Sequence, residues 1–182
     1  MKLTLVTGGA RAGKSRYAQA RALALGADDV TYIATAVVGD DEMRVRVRQH
    51  RADRPAAWRT IESSAHVGLA VLQAETPTVI LDCITMLAAQ AMEGAHPRDG
   101  EAATRAVTAE VDGLLQALQA RSGVLFAVTN EVGLSVHPPT NLGRWFQDAL
   151  GHANQRLAAA ADEVVLLVCG LPVQLKPSGE TR

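Results

Sequence analysis

The segment LTLVTGGARAGKSRYAQ at residues 3–19 indicates the fold class, because three local signals follow one another in it. An apolar, β-branched run at residues 3–7 predicts a buried strand, and the pattern from Ser15 onward predicts a helix. Between them, residues 8–15 read GGARAGKS and fit the pattern G-x-x-x-x-G-K-[ST]. A strand, a glycine-rich loop and a helix in this order predict a loop whose backbone N–H groups surround a phosphate.

Each part of this phosphate loop (residues 8–15) has a predicted role in holding a nucleoside triphosphate. Gly8 and Gly13 permit backbone conformations that a Cβ would obstruct, and the helix N-terminus adds a partial positive charge. Lys14 is expected to reach the β- and γ-phosphates, and the Ser15 hydroxyl to bind Mg²⁺. The alternative is a glycine-rich turn without a ligand, which the complete motif between a strand and a helix disfavours.

The rest of the chain alternates buried strands with helices. Further apolar runs predict strands at residues 30–35, 78–82, 124–130, 163–170 and 171–176, and helical patterns occupy 15–25, 40–54, 104–121 and 142–163. Such alternation favours right-handed βαβ units, while the short link at Gly170 requires a hairpin. The predicted fold class is therefore α/β: a RecA-like P-loop NTPase with a mostly parallel, doubly wound sheet flanked by helices and a C-terminal antiparallel hairpin.

The composition is that of an ordinary globular protein and excludes several classes. With 182 residues, 48% hydrophobic and 20% charged, we expect one domain over 1–182, with a frayed tail from about residue 177. A net charge of −1 argues against a sequence-independent nucleic-acid binder. We expect a cytoplasmic protein without membrane insertion, because no apolar run reaches membrane-spanning length. Cys83 and Cys169 lie in apolar runs, which predicts buried free thiols.

Asp82 ends the apolar run TVILD and is a candidate for the metal site. In P-loop proteins an acidic residue at the end of a strand commonly holds the metal. The alternative is that Asp82 caps the helix that follows.

The segment RVRVRQHRADRP at residues 44–55 surrounds one histidine, His50, with five arginines. The acidic residues 40–42 suit a first helical turn and Pro55 disfavours helix just before it, so a helix is predicted rather than a strand. Nearby arginines favour the neutral imidazole, a competent nucleophile toward phosphorus, and attract a polyphosphate. Residue types alone nevertheless favour a solvated basic face with an unreactive histidine.

Six segments together select a family: VTGGARAGKSRYAQ (6–19), YIATA (32–36), DDEMRVRVRQHRADRPAAWRTIE (40–62), LDCIT (81–85), VTNEVG (128–133) and NQRLAAAADEVVLLVCG (154–170). They resemble the bifunctional adenosylcobinamide kinase/adenosylcobinamide-phosphate guanylyltransferase family of cobalamin biosynthesis. The resemblance implies that ATP or GTP phosphorylates the aminopropanol hydroxyl of adenosylcobinamide. It further implies that GMP passes from GTP to an enzyme histidine, then to adenosylcobinamide phosphate, giving adenosyl-GDP-cobinamide. A homotrimer is also implied.

The resemblance assigns site residues by motif. The histidine before Arg in the HRxxRP segment, here His50, is the expected guanylylated residue, and Lys14 is the other expected catalytic residue. Relatives often carry two adjacent histidines, where this chain has Gln49 and then His50. The expected nucleotide contacts are Gly8, Gly9, Ala10, Arg11, Ala12, Gly13, Lys14, Ser15, Ile33, Ala34, Thr35, Arg51, Ala52, Asp53, Arg54, Glu62 and Asp82.

Mg²⁺ is the implied cofactor, with Ser15 and Asp82 as its expected ligands, although relatives can have Glu at the second position. The segment EVGLSVHPP (131–139) departs from relatives at Ser135 and His137, and we assign it no catalytic role.

Two other functions compete with the bifunctional enzyme. One is a P-loop small-molecule kinase in which His50 is inert, and it predicts no covalently attached nucleotide. The other is a nucleotide-switched binding protein, which predicts slow hydrolysis and a protein partner.

Overall fold

The computed structural model describes residues 1–26, 29–37, 39–52, 54–177 and 179, so most of the predicted frayed tail lies outside it. The described chain contains strands and helices in this order: β1 (Lys2–Gly8), α1 (Lys14–Ala24), β2 (Val30–Ala34), α2 (Asp41–Ala52), β3 (Arg59–Glu62), α3 (Val67–Gln73), β4 (Thr78–Asp82), α4 (Ile84–Ala95), α5 (Gly100–Ala120), β5 (Val124–Val128), α6 (Asn141–Ala160), β6 (Glu163–Val168) and β7 (Leu171–Lys176).

The strands form one sheet in the order β3-β2-β4-β5-β1-β6-β7. All neighbouring pairs are parallel except β6 and β7, which are antiparallel. The hairpin turn consists of Cys169 and Gly170, whose φ angles of 52° and 82° are both positive, as a two-residue type I′ turn requires. The predicted α/β class, with a mostly parallel sheet and a C-terminal hairpin, is confirmed.

An apolar core lies on each face of the sheet. The larger core contains Leu3 and Leu5 of β1 and the buried faces of α3, α4, α5 and α6. The smaller core contains Val6, Tyr32 and Trp58 and is covered by α1. Successive residues of β1 thus alternate between the two cores, because side chains of a strand point to opposite faces. Helices on both faces leave the carboxyl edge of the sheet open for a ligand.

Three elements, β3, α3 and α4, lie outside the predicted strand and helix ranges, although the alternative role of Asp82 as a cap already assumed a helix at the position of α4. β3 is a four-residue edge strand with exposed charged ends, so it lacks the apolar run of a buried strand. α3 is only two turns long and includes Gly68, where a Cβ would lie 2.3 Å from the carbonyl oxygen of Gly113 in α5. Close packing on α5 therefore requires a glycine inside a short helix, which weakens the helical pattern.

The prediction of two buried thiols is wrong. Cys169 is exposed because it occupies the β6–β7 turn, and Cys83 is half-buried. Both are free within the described chain. Among the described helices, none combines the length and apolar character needed to cross a membrane.

Candidate active site

A cleft of about 1230 Å³ opens at the carboxyl edge of the parallel strands. Its walls come from the loops that follow β1, β2, β4 and β5, from the first turn of α1 and from one side of α2. Open α/β sheets bind ligands at this edge, where successive strand ends bring residues from distant parts of the chain together.

The phosphate loop has a backbone conformation that depends on its glycines. Gly8 has a φ of 145°, and a Cβ there would lie 2.5 Å from the carbonyl oxygen of Leu167 on the neighbouring strand. Gly13 has a φ of 91° and is the N-cap of α1, with no side chain capping the helix. The first N–H groups of α1 therefore lack both helical acceptors and a cap, and they are available to phosphate oxygens. Residues 10–15 all line the cleft.

Lys14 is buried at the base of the cleft and donates a hydrogen bond to the carbonyl oxygen of Gly9, with an Nζ–O distance of 2.6 Å. Burial lowers the pKa of Lys14, while Cys83 and Asp82 nearby act to raise it. The ammonium group thus lies against its own loop. A triphosphate bound there offers it charged oxygens, which make stronger hydrogen bonds than a neutral carbonyl.

Asp82 is half-buried in the cleft wall and accepts a hydrogen bond from the hydroxyl of Tyr32. Burial, and then the negative charge of Asp82, raise the pKa of Tyr32, so the hydroxyl keeps its proton and remains a donor. The guanidinium carbon of Arg54 lies 3.3 Å from the centroid of the Tyr32 ring. Arg54 was expected to contact the nucleotide, and the structure places it in the cleft wall, stacked on this ring.

Helix α2 brings His50 to the same cleft. The Asp40 carboxylate caps the start of the helix by accepting a hydrogen bond from the backbone N–H of Met43, over 2.7 Å. Met43 and Val47 are half-buried and line the cleft, and His50 is exposed and lies one turn further along the same face. The histidine and the phosphate loop therefore share one cleft.

The residues at the end of β2 divide between the cleft and the protein interior. Ala34 lines the cleft, whereas the side chain of Ile33 is buried in the larger core. Thr35 is buried, and its hydroxyl donates to the carbonyl oxygen of Cys83 and accepts from the N–H of Cys83, each over 2.7 Å. The Thr35 hydroxyl thus joins the end of β2 to the residue after Asp82.

Of the remaining expected nucleotide contacts, Glu62 lines the cleft. Arg51 and Ala52 are exposed on α2, away from the cleft lining. Asp53 lies outside the described residues.

Two features of the cleft wall were not predicted from the sequence. One is Tyr32, which stands in the YIATA segment but received no role. The other is the exit of β5, where Thr85 accepts a hydrogen bond from the backbone N–H of Asn130 over 2.8 Å. Asn154 donates to the carbonyl oxygen of Asn130 over 3.0 Å. Asn130 and Asn154 lie in the segments VTNEVG and NQRLA, and Thr85 lies in LDCIT. The only signal for them was their presence in the family pattern.

Among the described residues, no three His, Cys, Asp or Glu side chains lie close enough to hold a metal ion by themselves. Ser15 and Asp82 both line the cleft and supply a hydroxyl and a carboxylate. Mg²⁺ prefers oxygen ligands and commonly takes one or two from the protein and the rest from phosphates and water. The residues present therefore fit an ion that arrives with a triphosphate.

Comparison with known proteins shows the family of the chain. The model of the family described as cobinamide kinase / cobinamide phosphate guanyltransferase matches residues 4–175. The bifunctional adenosylcobalamin biosynthesis protein CobU of Salmonella typhimurium is 42% identical over 182 residues, which cover 96% of this chain and 99% of the relative. The Escherichia coli protein of the same name is 40% identical with the same coverage. The bifunctional adenosylcobalamin biosynthesis protein CobP of Pseudomonas aeruginosa is 38% identical over 177 residues, covering 94% of this chain and 96% of the relative. The chain belongs to the cobinamide kinase / cobinamide phosphate guanyltransferase family.

Proposed function

We propose that the protein is a bifunctional transferase of cobalamin biosynthesis. It phosphorylates adenosylcobinamide with ATP or GTP, then transfers GMP from GTP through a guanylyl-histidine to give adenosyl-GDP-cobinamide. The observation that carries this proposal is that one cleft is lined both by residues 10–15 of the phosphate loop and by His50. Family membership supports the corrinoid substrate and the nucleotides.

In the kinase step the phosphate loop and Lys14 bind the triphosphate and offset its charge. The hydroxyl oxygen of the aminopropanol arm attacks the γ-phosphorus, and the nucleoside diphosphate leaves. The N–H groups at the start of α1 and the Lys14 ammonium lie where negative charge collects on the phosphate oxygens. This step requires no histidine.

In the guanylyltransferase step an unprotonated ring nitrogen of His50 attacks the α-phosphorus of GTP, and pyrophosphate leaves. A phosphate oxygen of adenosylcobinamide phosphate then attacks the same phosphorus and releases the histidine. A covalent intermediate divides one difficult transfer into two displacements. The family motif supports a larger set of proposed nucleotide contacts. They are residues 8–15 and 33–35, Arg51, Ala52, Asp53, Arg54, Glu62 and Asp82.

We also propose that Mg²⁺ binds at Ser15 and Asp82 together with the nucleotide. When bound, the ion offsets charge on the phosphate oxygens and on the departing pyrophosphate. The protein orients the two metal-binding side chains. The Tyr32 hydroxyl donates a hydrogen bond to the Asp82 carboxylate, and Ser15 follows Lys14 in the first turn of α1.

We also propose a domain organisation, an oligomeric state and a cellular location. The single sheet supports one domain over residues 1–182. By family resemblance the protein is a homotrimer, and we propose that it acts in the cytoplasm, where ATP and GTP are available.

One product analysis tests the proposed function. The purified protein is incubated with adenosylcobinamide, GTP, ATP and Mg²⁺, and the corrinoids are separated and weighed by mass spectrometry. We expect adenosylcobinamide phosphate first and adenosyl-GDP-cobinamide later. A reaction that stops at the phosphate identifies a kinase with an inert His50, and nucleotide hydrolysis without a corrinoid product identifies a nucleotide-switched binder.

A further inference from the structure

Asn130 lies at the centre of the carboxyl edge of the sheet. Its strand, β5, stands between β4, which ends in Asp82, and β1, which leads into the phosphate loop. In the strand register Val128 is level with both Val6 and Asp82. Asn130 comes two residues later, so it is placed between the proposed metal ligand and the phosphate loop. Asn130 lines the cleft together with Lys14 and Asp82.

The backbone of Asn130 is held on both sides by side chains from two helices. Its N–H donates to the hydroxyl oxygen of Thr85 at the start of α4, over 2.8 Å. Its carbonyl oxygen accepts from the amide nitrogen of Asn154 in α6, over 3.0 Å. The amide oxygen of Asn154 in turn accepts from the hydroxyl of Thr129, over 2.7 Å. Both main-chain polar groups of Asn130 are therefore bonded within the protein, and the residue lines the cleft.

The two neighbours of Asn130 are tied to the phosphate-loop strand. The N–H of Thr129 donates to the carbonyl oxygen of Val6 over 3.0 Å. The N–H of Glu131 donates to the carbonyl oxygen of Gly8, the first residue of the phosphate loop, over 3.1 Å. Because these bonds flank Asn130, its position relative to the loop is fixed before any ligand binds. Such preorganisation is what allows a hydrogen-bond donor to stabilise a transition state.

We propose that Asn130 is a further catalytic residue of the phosphoryl-transfer step, and that Asn154 is a positioning residue that acts through it. This proposal rests on the proposed kinase activity. The carboxamide of Asn130 donates an N–H to a non-bridging oxygen of the γ-phosphate during its transfer. The carboxamide is neutral, so it adds a donor beside Lys14 without repelling the Asp82 carboxylate.

The step balances without proton transfer to Asn130. The hydroxyl oxygen of the aminopropanol arm forms a bond to the γ-phosphorus. The bond from that phosphorus to the β,γ-bridging oxygen breaks, and its electron pair stays on the nucleoside diphosphate. The hydroxyl proton passes to water, and the carboxamide keeps both of its protons.

The test separates catalysis from binding. Phosphorylation of adenosylcobinamide is measured for wild type, Asn130→Ala, Asn154→Ala and the double variant, with Gln155→Ala, an exposed neighbour on α6, as the matched control. Affinity is measured calorimetrically with α,β-methylene-GTP, which cannot donate GMP. Removing one preorganised donor typically lowers kcat by about 100-fold, and we expect this for Asn130→Ala with the affinity changed less than about threefold.

Asn154→Ala is expected to lower kcat by about tenfold, because the donor loses its support but is still present. If Asn154 acts through Asn130, its replacement has little further effect in the Asn130→Ala background, whereas a purely structural role gives additive losses. If Asn130→Ala does not fold, Asn130→Leu, which has nearly the same shape, carries no charge and lacks the donor, replaces it with the same expected loss of kcat.

A wild-type kcat in the Asn130 variant overturns the catalytic role of Asn130. Additive losses in the double variant overturn the positioning role of Asn154. Failure of the proposed function is distinguishable, because the wild-type protein then binds the analogue and yields no adenosylcobinamide phosphate.

Discussion

Replacement of Tyr32 by Phe isolates a single hydrogen bond in the wall of the cleft. The Tyr32 ring is buried in the smaller core and stacks under Arg54 at 3.3 Å from the ring centroid. Phe preserves both of these ring contacts. Only the hydroxyl that donates to Asp82 is lost.

The size of the effect follows from the surroundings of Asp82. A hydrogen bond to a charged group contributes about 1.5 to 3 kcal/mol. Asp82 is half-buried beside the cleft, so water partly replaces the lost donor and we expect the lower value, about 1.5 kcal/mol. If that free energy orients the carboxylate for Mg²⁺, its loss weakens Mg²⁺ binding about tenfold, since 1.4 kcal/mol corresponds to a factor of ten.

The assay is the Mg²⁺ concentration needed for half-maximal attachment of GMP to the protein at saturating GTP. We expect Tyr32→Phe to need about ten times more Mg²⁺ than wild type, with little change in Tm. Tyr17→Phe is the matched control, because Tyr17 is the other tyrosine of the chain and its hydroxyl accepts from Arg21 outside the cleft, over 2.8 Å. An unchanged Mg²⁺ requirement in Tyr32→Phe would refute the orientation of Asp82 by Tyr32 for metal binding.

Three further predictions concern the loop and the stability of the fold. Lys14→Ala should lower the use of triphosphate in both steps by at least about 100-fold, and undiminished turnover in corrinoid assays would rule out the role of the phosphate loop. Gly8→Ala should lower Tm and abolish nucleotide binding in calorimetry, since its Cβ would lie 2.5 Å from the Leu167 carbonyl oxygen; normal binding would contradict this. The hydrogen bond from the Arg21 guanidinium lowers the pKa of Glu163 below its usual 4.5. The pair therefore stabilises the fold fully above pH 4.5, and this stabilisation is lost as the pH falls through the lowered pKa of Glu163 in the folded protein. Because Arg21 is about one-third exposed, we expect Glu163→Gln to cost only about 1 to 2 kcal/mol in urea unfolding at pH 7 and less at pH 3.5; an equal cost at both pH values would contradict the ion pair.

Much of the fold could be predicted because its signals are local. The phosphate loop follows an apolar strand directly, and the link at Gly170 is too short for anything but a hairpin. The edge strand β3 could not be predicted, because it has only four residues, both of its ends are exposed and charged, and it pairs on one side only. The exposure of Cys169 also escaped prediction, since an apolar run does not reveal which of its residues forms the turn.

The candidate site also has features that the sequence predicts and features that it does not. The expected roles of Lys14 and His50 rest on contiguous motifs, so the sequence alone was sufficient to propose them. Contacts between distant residues could not be predicted: the Tyr32–Asp82 hydrogen bond joins residues 50 positions apart. The Asn154–Asn130 bond likewise spans 24 positions. Such pairs exist only once the sheet brings its strand ends together.

If His50 carries GMP, labelled nucleotide becomes covalently attached to the protein at this residue. Wild type, His50→Ala and His152→Ala are incubated with Mg²⁺ and GTP labelled at the α-phosphorus, then denatured and separated from free nucleotide. His152 is exposed on α6 and serves as the matched histidine control. We predict an acid-labile, base-stable adduct on wild type and His152→Ala and none on His50→Ala. Label that persists on His50→Ala would show that another residue carries GMP.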